Sequence, residues 1–182
     1  ELWDAYNSVR FAATLEKYAN EFDVDDLVEQ RGTLIKEELA WEIEQGRLVT
    51  EQGLMRARDT HRSFNEWLEE ALEEFDVLAL PSAQVWPFRI QCRYPETIGN
   101  TRMETYHQWM QVCAPVSFAG LPCVTIPAGF SEKGLPIGVQ LFGRRGSDGK
   151  LLGLANDYHQ ATKGFCPSVS YTQGEKAVLS IS

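Results

Sequence analysis

Apolar side chains recur every three to four residues through most of residues 1–75, a spacing typical of amphipathic α-helices. A first helix is predicted over residues 3–20. A second is predicted over residues 25–43, with the two aspartates at its start as caps. Gly32 interrupts this second helix, and Thr33 offers a later cap, so two starting points remain open.

The clearest helical pattern begins at Thr50 and continues to residue 75, with glutamates supplying much of the solvent-facing side. Residues 77–80 then form a short, continuous apolar run that ends at Pro81. Such a run is typical of a strand that is buried on both faces. Residues 81–102 contain three prolines and show no periodicity, which indicates a long irregular segment of the kind that often carries function.

A short helix is predicted over residues 103–114, and strands are predicted over 123–126 and 137–142. The link between the strands contains turn residues, which favours an antiparallel hairpin. Ser147 or Asp148 can cap a last helix. This order predicts an α/β fold whose three strands would leave bare sheet edges, and we expect strands outside this chain to cover them.

The pattern divides the chain into an acidic helical segment (1–75), a strand, loop, helix, hairpin and helix of the same domain (76–167), and a loosely held polar tail (168–182). The first residues lack a starting Met, a basic region and an apolar run, so they do not resemble a signal peptide. We expect them to come from the middle of a longer chain.

Charge is unevenly distributed along the chain. The net charge is −9; residues 1–80 carry 20 acidic and 8 basic side chains, whereas residues 81–182 carry 6 and 9. An acidic protein repels nucleic acids and anionic membrane surfaces, so we expect neither as a partner. No stretch approaches the roughly 18 apolar residues that a membrane helix needs.

Metal, nucleotide and redox chemistry have little support in the sequence. No two cysteines have CxxC spacing, which excludes a zinc or thioredoxin signature and favours free thiols in a reducing, cytoplasmic compartment. No histidine has a second ligand at i+4, and the segment 143–150 departs from a phosphate-binding loop. We therefore expect no metal and no cofactor. The four cysteines and three histidines of the chain are Cys92, Cys113, Cys123, Cys166, His61, His107 and His159.

The strongest motif is a repeated pattern of Gly and Pro around the two predicted strands of the hairpin. Residues 118–130 read Phe-Ala-Gly-Leu-Pro-Cys-Val-Thr-Ile-Pro-Ala-Gly-Phe, and residues 134–143 read Gly-Leu-Pro-Ile-Gly-Val-Gln-Leu-Phe-Gly. These residues fix or free the backbone at strand ends. Gln140 is the one polar residue in an apolar strand, so we expect a positioned structural group with hydrogen-bond partners.

This double block resembles the closing section of the amidase-signature family, and residues 75–81 and 103–110 resemble further segments of bacterial members. The resemblance runs from near residue 1 to about residue 167. It implies the C-terminal part of that fold, with helices packed on a mixed sheet to which this chain contributes about three strands. Ser117 departs from the family pattern, which often has Asn there.

Membership would imply hydrolysis of a carboxylic amide to an acid plus ammonia or an amine, through a Ser nucleophile, a second Ser and a Lys. The chain has no Gly-Gly-Ser-Ser run, so no catalytic residue is assigned here and the chain alone is expected to be inactive. No Ser lies in a GxSxG elbow, and a Ser–His–Asp triad stays open because its members meet only in space.

The resemblance also implies that the irregular segment after Pro81 forms part of a pocket for a small-molecule amide, completed by residues outside this chain. Homo-oligomerisation is a further possibility. The alternative function is a non-catalytic regulatory or partner-binding module built on the acidic helical segment. The predicted substrate-binding residues are Gln84, Trp86, Pro87, Phe88, Tyr106, His107 and Trp109.

Overall fold

A computed structural model describes residues 1–162 of the chain. This part contains six α-helices, one 3₁₀ helix and five strands. In chain order they are α1 (Leu2–Ala19), α2 (Val24–Glu29), α3 (Glu37–Leu48), α4 (Glu51–Glu74), β1 (Leu78–Pro81), β2 (Thr97–Ile98), β3 (Thr101–Arg102), the 3₁₀ helix (Gln108–Cys113), α5 (Ala114–Ala119), β4 (Cys123–Phe130), β5 (Pro136–Phe142) and α6 (Asp148–Ala161).

The helical segment packs mainly through α1, which contacts both α3 and α4. The predicted helix after Thr50 is confirmed as α4, and the Thr50 hydroxyl caps it by accepting a hydrogen bond from the Gly53 N–H at 3.0 Å. Buried side chains of α2 and α3 form one core cluster. Its members are Leu27, Val28, Ala40 and Ile43.

The prediction of one continuous helix over residues 25–43 is wrong, because two helices occupy this stretch. Asp23 caps α2 by accepting from the backbone N–H groups of Asp25 and Asp26, and α2 ends at Glu29. Gly32 follows with a φ of 76°, a left-handed conformation that a helix cannot contain. The turn therefore separates the helices, and α3 begins only at Glu37 rather than after Thr33.

The three predicted strands are confirmed, and they form one sheet in the order β1-β5-β4 with antiparallel pairs. The hairpin of β4 and β5 places Cys123 opposite Phe142 and Ile126 opposite Val139, with an irregularity between Pro127 and Gly129. A second core cluster joins this sheet to α4 and α5. Its buried members are Leu68, Val116, Ala119 and Phe142.

Burial on both faces of the first strand is not observed within the described residues. Leu78 and Leu80 are half-buried, whereas Ala79 and Pro81 are exposed. The reason is that only one face of β1 packs against other elements in this part of the chain, so alternate side chains stay exposed.

Two further stretches differ from prediction. The irregular segment 81–102 contains the small hairpin of β2 and β3. The helix predicted over 103–114 is wrong for residues 103–107, which form no helix. A 3₁₀ helix over Gln108–Cys113 follows and leads into α5; Met110 has non-helical dihedral angles, and a proline occupies the first turn of α5.

The last predicted helix is confirmed as α6. Ser147 occupies the N-cap position, but its hydroxyl makes no capping hydrogen bond. The proposed tail 168–182 and Cys166 lie outside the described residues. Across residues 1–162, no helix combines the length and the apolar character that crossing a membrane requires.

Candidate functional site

An apolar cavity lies between the segment that follows β1 and the β4–β5 hairpin. Its volume is about 450 Å³, within the range of small-molecule sites, and it is open to solvent on one side. No charged side chain is among the described residues that line it. Apolar residues that line it include Trp86, Phe88, Trp109, Ile126, Pro127 and Ile137.

The backbone path after β1 brings this segment beside the hairpin. The Ser82 N–H donates to the Gly138 carbonyl at 3.0 Å, which extends the pairing with β5 by one step. Gly138 permits this close approach, because a Cβ at that position would lie 2.9 Å from the Ser82 Oγ and 3.0 Å from the Ile126 carbonyl oxygen. One side of the cavity therefore depends on the absence of a side chain at Gly138.

Two aromatic rings form the opposite wall. The Phe88 and Trp109 ring centroids are 5.3 Å apart with an interplanar angle of 88°, an edge-to-face contact that aromatic pairs favour. Trp86 and Phe88 are 45% and 39% exposed, so their rings are accessible to a ligand. Four of the seven predicted residues, including Pro87, thus meet at one cavity.

Gln84 does not line the cavity but binds the 3₁₀ helix behind it. Its Oε1 accepts a hydrogen bond from the Val112 N–H at 2.7 Å, and its Nε2 donates to the Gln108 carbonyl at 3.3 Å. Both polar atoms of the carboxamide are therefore engaged by the helix that carries Trp109.

Gln140 fixes the same helix from the sheet, which confirms the expectation of a positioned structural group. This side chain is 5% exposed, and its Nε2 donates to the Pro81 carbonyl at 2.9 Å and to the Val112 carbonyl at 3.1 Å. Val112 consequently has its N–H bound by Gln84 and its carbonyl bound by Gln140, so the end of the 3₁₀ helix is tied to β1 and β5.

Tyr106 and His107 lie away from the cavity, in a polar cluster shared with α1 and α3. The Tyr106 hydroxyl donates to the Glu42 carboxylate, which also accepts from the Arg10 Nη2 at 2.7 Å. The His107 Nε2 lies 2.9 Å from the Asn7 Oδ1, a distance at which the ring N–H donates to the amide oxygen. These contacts anchor the start of the 3₁₀ helix to the helical segment.

Burial shifts the pKa values of Tyr106 and His107. Desolvation, together with the hydrogen bond to Glu42, raises the pKa of Tyr106 to about 12. Desolvation and the nearby Arg10 guanidinium lower the pKa of His107 to about 4, so its imidazole is neutral at neutral pH. A neutral, 2% exposed His packed against Trp3 is a structural group rather than an accessible base.

The described residues offer little for nucleophilic or metal chemistry. Burial raises the pKa of the Cys113 and Cys123 thiols, which disfavours the reactive thiolate. The His61 Nε2 lies 2.8 Å from the Phe118 carbonyl oxygen, a contact that occupies the nitrogen. No group of three His, Cys, Asp or Glu side chains with metal-binding geometry occurs in residues 1–162.

The contribution of the hairpin to the cavity was not predicted. Ile126, Pro127 and Ile137 have the pattern of ordinary strand residues, and their spacing cannot distinguish a core face from a cavity wall. One signal was available, since Gly138 in a largely apolar strand indicates close approach of another backbone.

Comparison with known proteins agrees with the resemblance seen in the sequence. A sequence model of the family described as Amidase matches residues 2–152. A glutamyl-tRNA(Gln) amidotransferase chain from Chlorobium phaeobacteroides is 35% identical over 106 residues, covering 58% of this chain and 21% of that protein. A putative amidase from Synechocystis is 32% identical over 96 residues, covering 53% and 19%.

Solved structures show the same fold. A bacterial aryl acylamidase of the amidase-signature family superimposes with a TM-score of 0.70 at 19% identity, covering 88% of this chain and 34% of that one. A 6-aminohexanoate cyclic dimer hydrolase gives 0.64 at 21% identity, covering 88% and 35%. The chain spans about a fifth of the length of its sequence relatives and about a third of these structures. It belongs to the amidase-signature family.

Proposed function

We propose that this chain is the C-terminal part of an amide hydrolase and that it supplies one wall of the substrate cavity. The observation that carries the proposal is the apolar cavity between the aromatic wall and the hairpin, in a chain of this family. The reaction is hydrolysis of a carboxylic amide to an acid plus ammonia or an amine, through an acyl-enzyme.

The nucleophile in this proposal lies outside the chain. The sequence has no Gly-Gly-Ser-Ser run, and the raised thiol pKa values of Cys113 and Cys123 argue against a cysteine substitute. The family's Ser, second Ser and Lys would come from a catalytic half that precedes this chain in the polypeptide. Trp86, Pro87, Phe88 and Trp109 would contact the substrate.

The lining favours an amide whose bound portion is uncharged and apolar. An ammonium or carboxylate placed in this cavity would lose hydration without gaining a charged partner from the described wall. Free glutamine carries both charges, so this wall suits it poorly, although several sequence relatives are glutamyl-tRNA(Gln) amidotransferase chains. A small-molecule amide, with no cofactor, in a reducing cytoplasm, is the setting we propose.

The test joins a catalytic half from an amidase-signature enzyme to the start of this chain and compares benzamide, acetamide and glutamine as substrates. We expect the highest kcat/KM with benzamide. Trp109→Ala should raise KM for benzamide about tenfold, because roughly 50 Å² of apolar contact at ~25 cal/mol per Å² is removed. The matched control is Trp67→Ala, since Trp67 is 58% exposed on α4 and does not line the cavity.

Equal effects of the two tryptophan substitutions would contradict the assignment of the cavity. A preference for glutamine over benzamide would contradict the proposed substrate class while leaving amide hydrolysis intact.

A further inference from the structure

The aromatic wall depends on a group that faces away from the cavity. Trp109 lies in the 3₁₀ helix Gln108–Cys113, a short element whose own hydrogen bonds are weak in geometry. Its ring must hold its position against Phe88 for the edge-to-face pair to persist. Contacts from neighbouring elements therefore determine where the Trp109 ring lies.

Gln84 makes contacts on both sides of Trp109. Its Oε1 receives the Val112 N–H three residues after Trp109, and its Nε2 donates to the Gln108 carbonyl immediately before it. Gln84 itself lies two residues before Trp86 and four before Phe88, on the segment that forms the other part of the wall. One carboxamide thus couples the two pieces of backbone that carry the wall's rings.

The chemistry of the contact requires an amide. The Val112 N–H needs an acceptor and the Gln108 carbonyl needs a donor, and among side chains of this length only Gln presents both. A Glu keeps the acceptor and loses the donor, whereas a Met of similar length loses both. The two variants therefore separate the two hydrogen bonds.

We propose that Gln84 is a positioning residue that sets the aromatic wall of the substrate cavity by holding Trp109 in register with Phe88, without touching the substrate. This role rests on the proposed function, because that function makes the cavity a substrate cavity. The positioning itself is a property of this chain and is measurable without turnover.

The experiment uses the chain labelled with 5-fluorotryptophan and observed by ¹⁹F NMR. The five tryptophans are Trp3, Trp41, Trp67, Trp86 and Trp109, and single Trp→Phe variants assign their signals. Gln84→Met should shift or broaden the Trp109 signal and leave those of Trp3, Trp41 and Trp67 unchanged. Gln84→Glu should also move the Trp109 signal, because it keeps the acceptor for the Val112 N–H but places a carboxylate oxygen against the Gln108 carbonyl oxygen.

The matched control is Gln91→Met, the same substitution at an exposed Gln of the same segment, which should leave all five signals in place. An unchanged Trp109 signal in Gln84→Met would overturn the proposal. A similar change in all five signals would also overturn it, since Gln84 would then act on overall folding rather than on the wall.

Benzamide binding gives a second measurement, made on the parent chain joined to an amidase-signature catalytic half, because the chain alone supplies only one wall of the cavity. Gln84→Met should weaken binding severalfold in the parent chain and have no further effect in a Trp109→Ala background, because Gln84 acts through Trp109. Additive losses would mean that Gln84 contacts the ligand directly and would refute the proposal. If benzamide does not bind this joined polypeptide, the cavity assignment under the proposed function fails, and the ¹⁹F result still decides the role of Gln84.

Discussion

Replacing Glu42 with Ala should destabilise the chain more than any change at its surface ion pairs. The Glu42 side chain is 5% exposed and accepts hydrogen bonds from Arg10, Tyr106 and Thr14. Removing one partner of a buried ion pair typically costs about 3–5 kcal/mol, because the other charge stays desolvated. Arg10 is 38% exposed and can regain water, so we expect ~2–3 kcal/mol here.

The assay is urea unfolding of the purified chain followed by tryptophan fluorescence. With a slope of about 2 kcal/mol per molar urea, the expected loss moves the midpoint down by ~1–1.5 M. The control is Glu44→Ala, which breaks the exposed pair of Glu44 with Arg31 and should cost under about 1 kcal/mol. Glu42→Gln, which keeps an acceptor oxygen and loses the charge, should fall between the two.

Equal midpoints for Glu42→Ala and Glu44→Ala would refute this reasoning. That result would mean that the buried carboxylate contributes no more than a surface charge, and that Tyr106 is held against α3 by packing alone.

Two further perturbations test the polar cluster and the close approach at the cavity. The folded pKa of His107, about 4, lies below the unfolded value of about 6.5, so the unfolded state binds more protons between these pH values. The free energy of unfolding should therefore fall by roughly 1–2 kcal/mol as the pH drops from 6.5 to 4, because His107 lies beside Arg10 and resists protonation in the folded state. His107→Gln should remove this pH-dependent loss. Parallel pH profiles of the free energy of unfolding for the two chains would disprove it. Gly138→Ala should displace Ser82 from β5 and lower the unfolding midpoint by about 0.5–1.5 M urea. The control Gly149→Ala, at a position in α6 with nothing within 4 Å, should leave the midpoint unchanged or raise it, because Ala favours a helix over Gly.

The fold was predictable wherever local pattern and tertiary structure agree. The helix after Thr50 has a side-chain cap and a long apolar stripe, and the β4–β5 hairpin is bounded by Gly and Pro that leave few alternatives. The single helix across Gly32 failed because apolar spacing continued through a residue whose φ is positive. Periodicity records which side chains are buried, and it does not record where the backbone reverses.

The residues of the candidate cavity were also predictable only in part, because their partners are distant in the sequence. Resemblance placed Trp86, Phe88 and Trp109 near a pocket, and the structure brings them to one cavity. No sequence pattern distinguishes Gln84 and Tyr106 from the residues that line the cavity. The Gln84 carboxamide binds backbone groups, and the Tyr106 hydroxyl binds a carboxylate 64 positions earlier in the chain. Such partners are brought together by long-range packing, at the 3₁₀ helix for Gln84 and at α3 for Tyr106.

Side chains of the acidic helical segment also hold the stretch between Arg93 and Tyr106 in place. Arg93 bonds the carboxylates of Glu37 and Glu38 at the start of α3, and Tyr106 bonds Glu42 one turn further on. The stretch between Arg93 and Tyr106 is thus held on α3 at both ends. Part of the negative charge near α3 therefore engages this stretch.

The most direct test of the account is ammonia release from benzamide and acetamide by the purified chain, measured beside the same chain joined to an amidase-signature catalytic half. We expect no release by the chain alone and release by the joined polypeptide, abolished when the Ser nucleophile of the added half is replaced by Ala. Release by the chain alone that follows the protein through purification would contradict the account. A nucleophile would then lie within these 182 residues, and Ser82, Ser117 and the three histidines would be the first to replace.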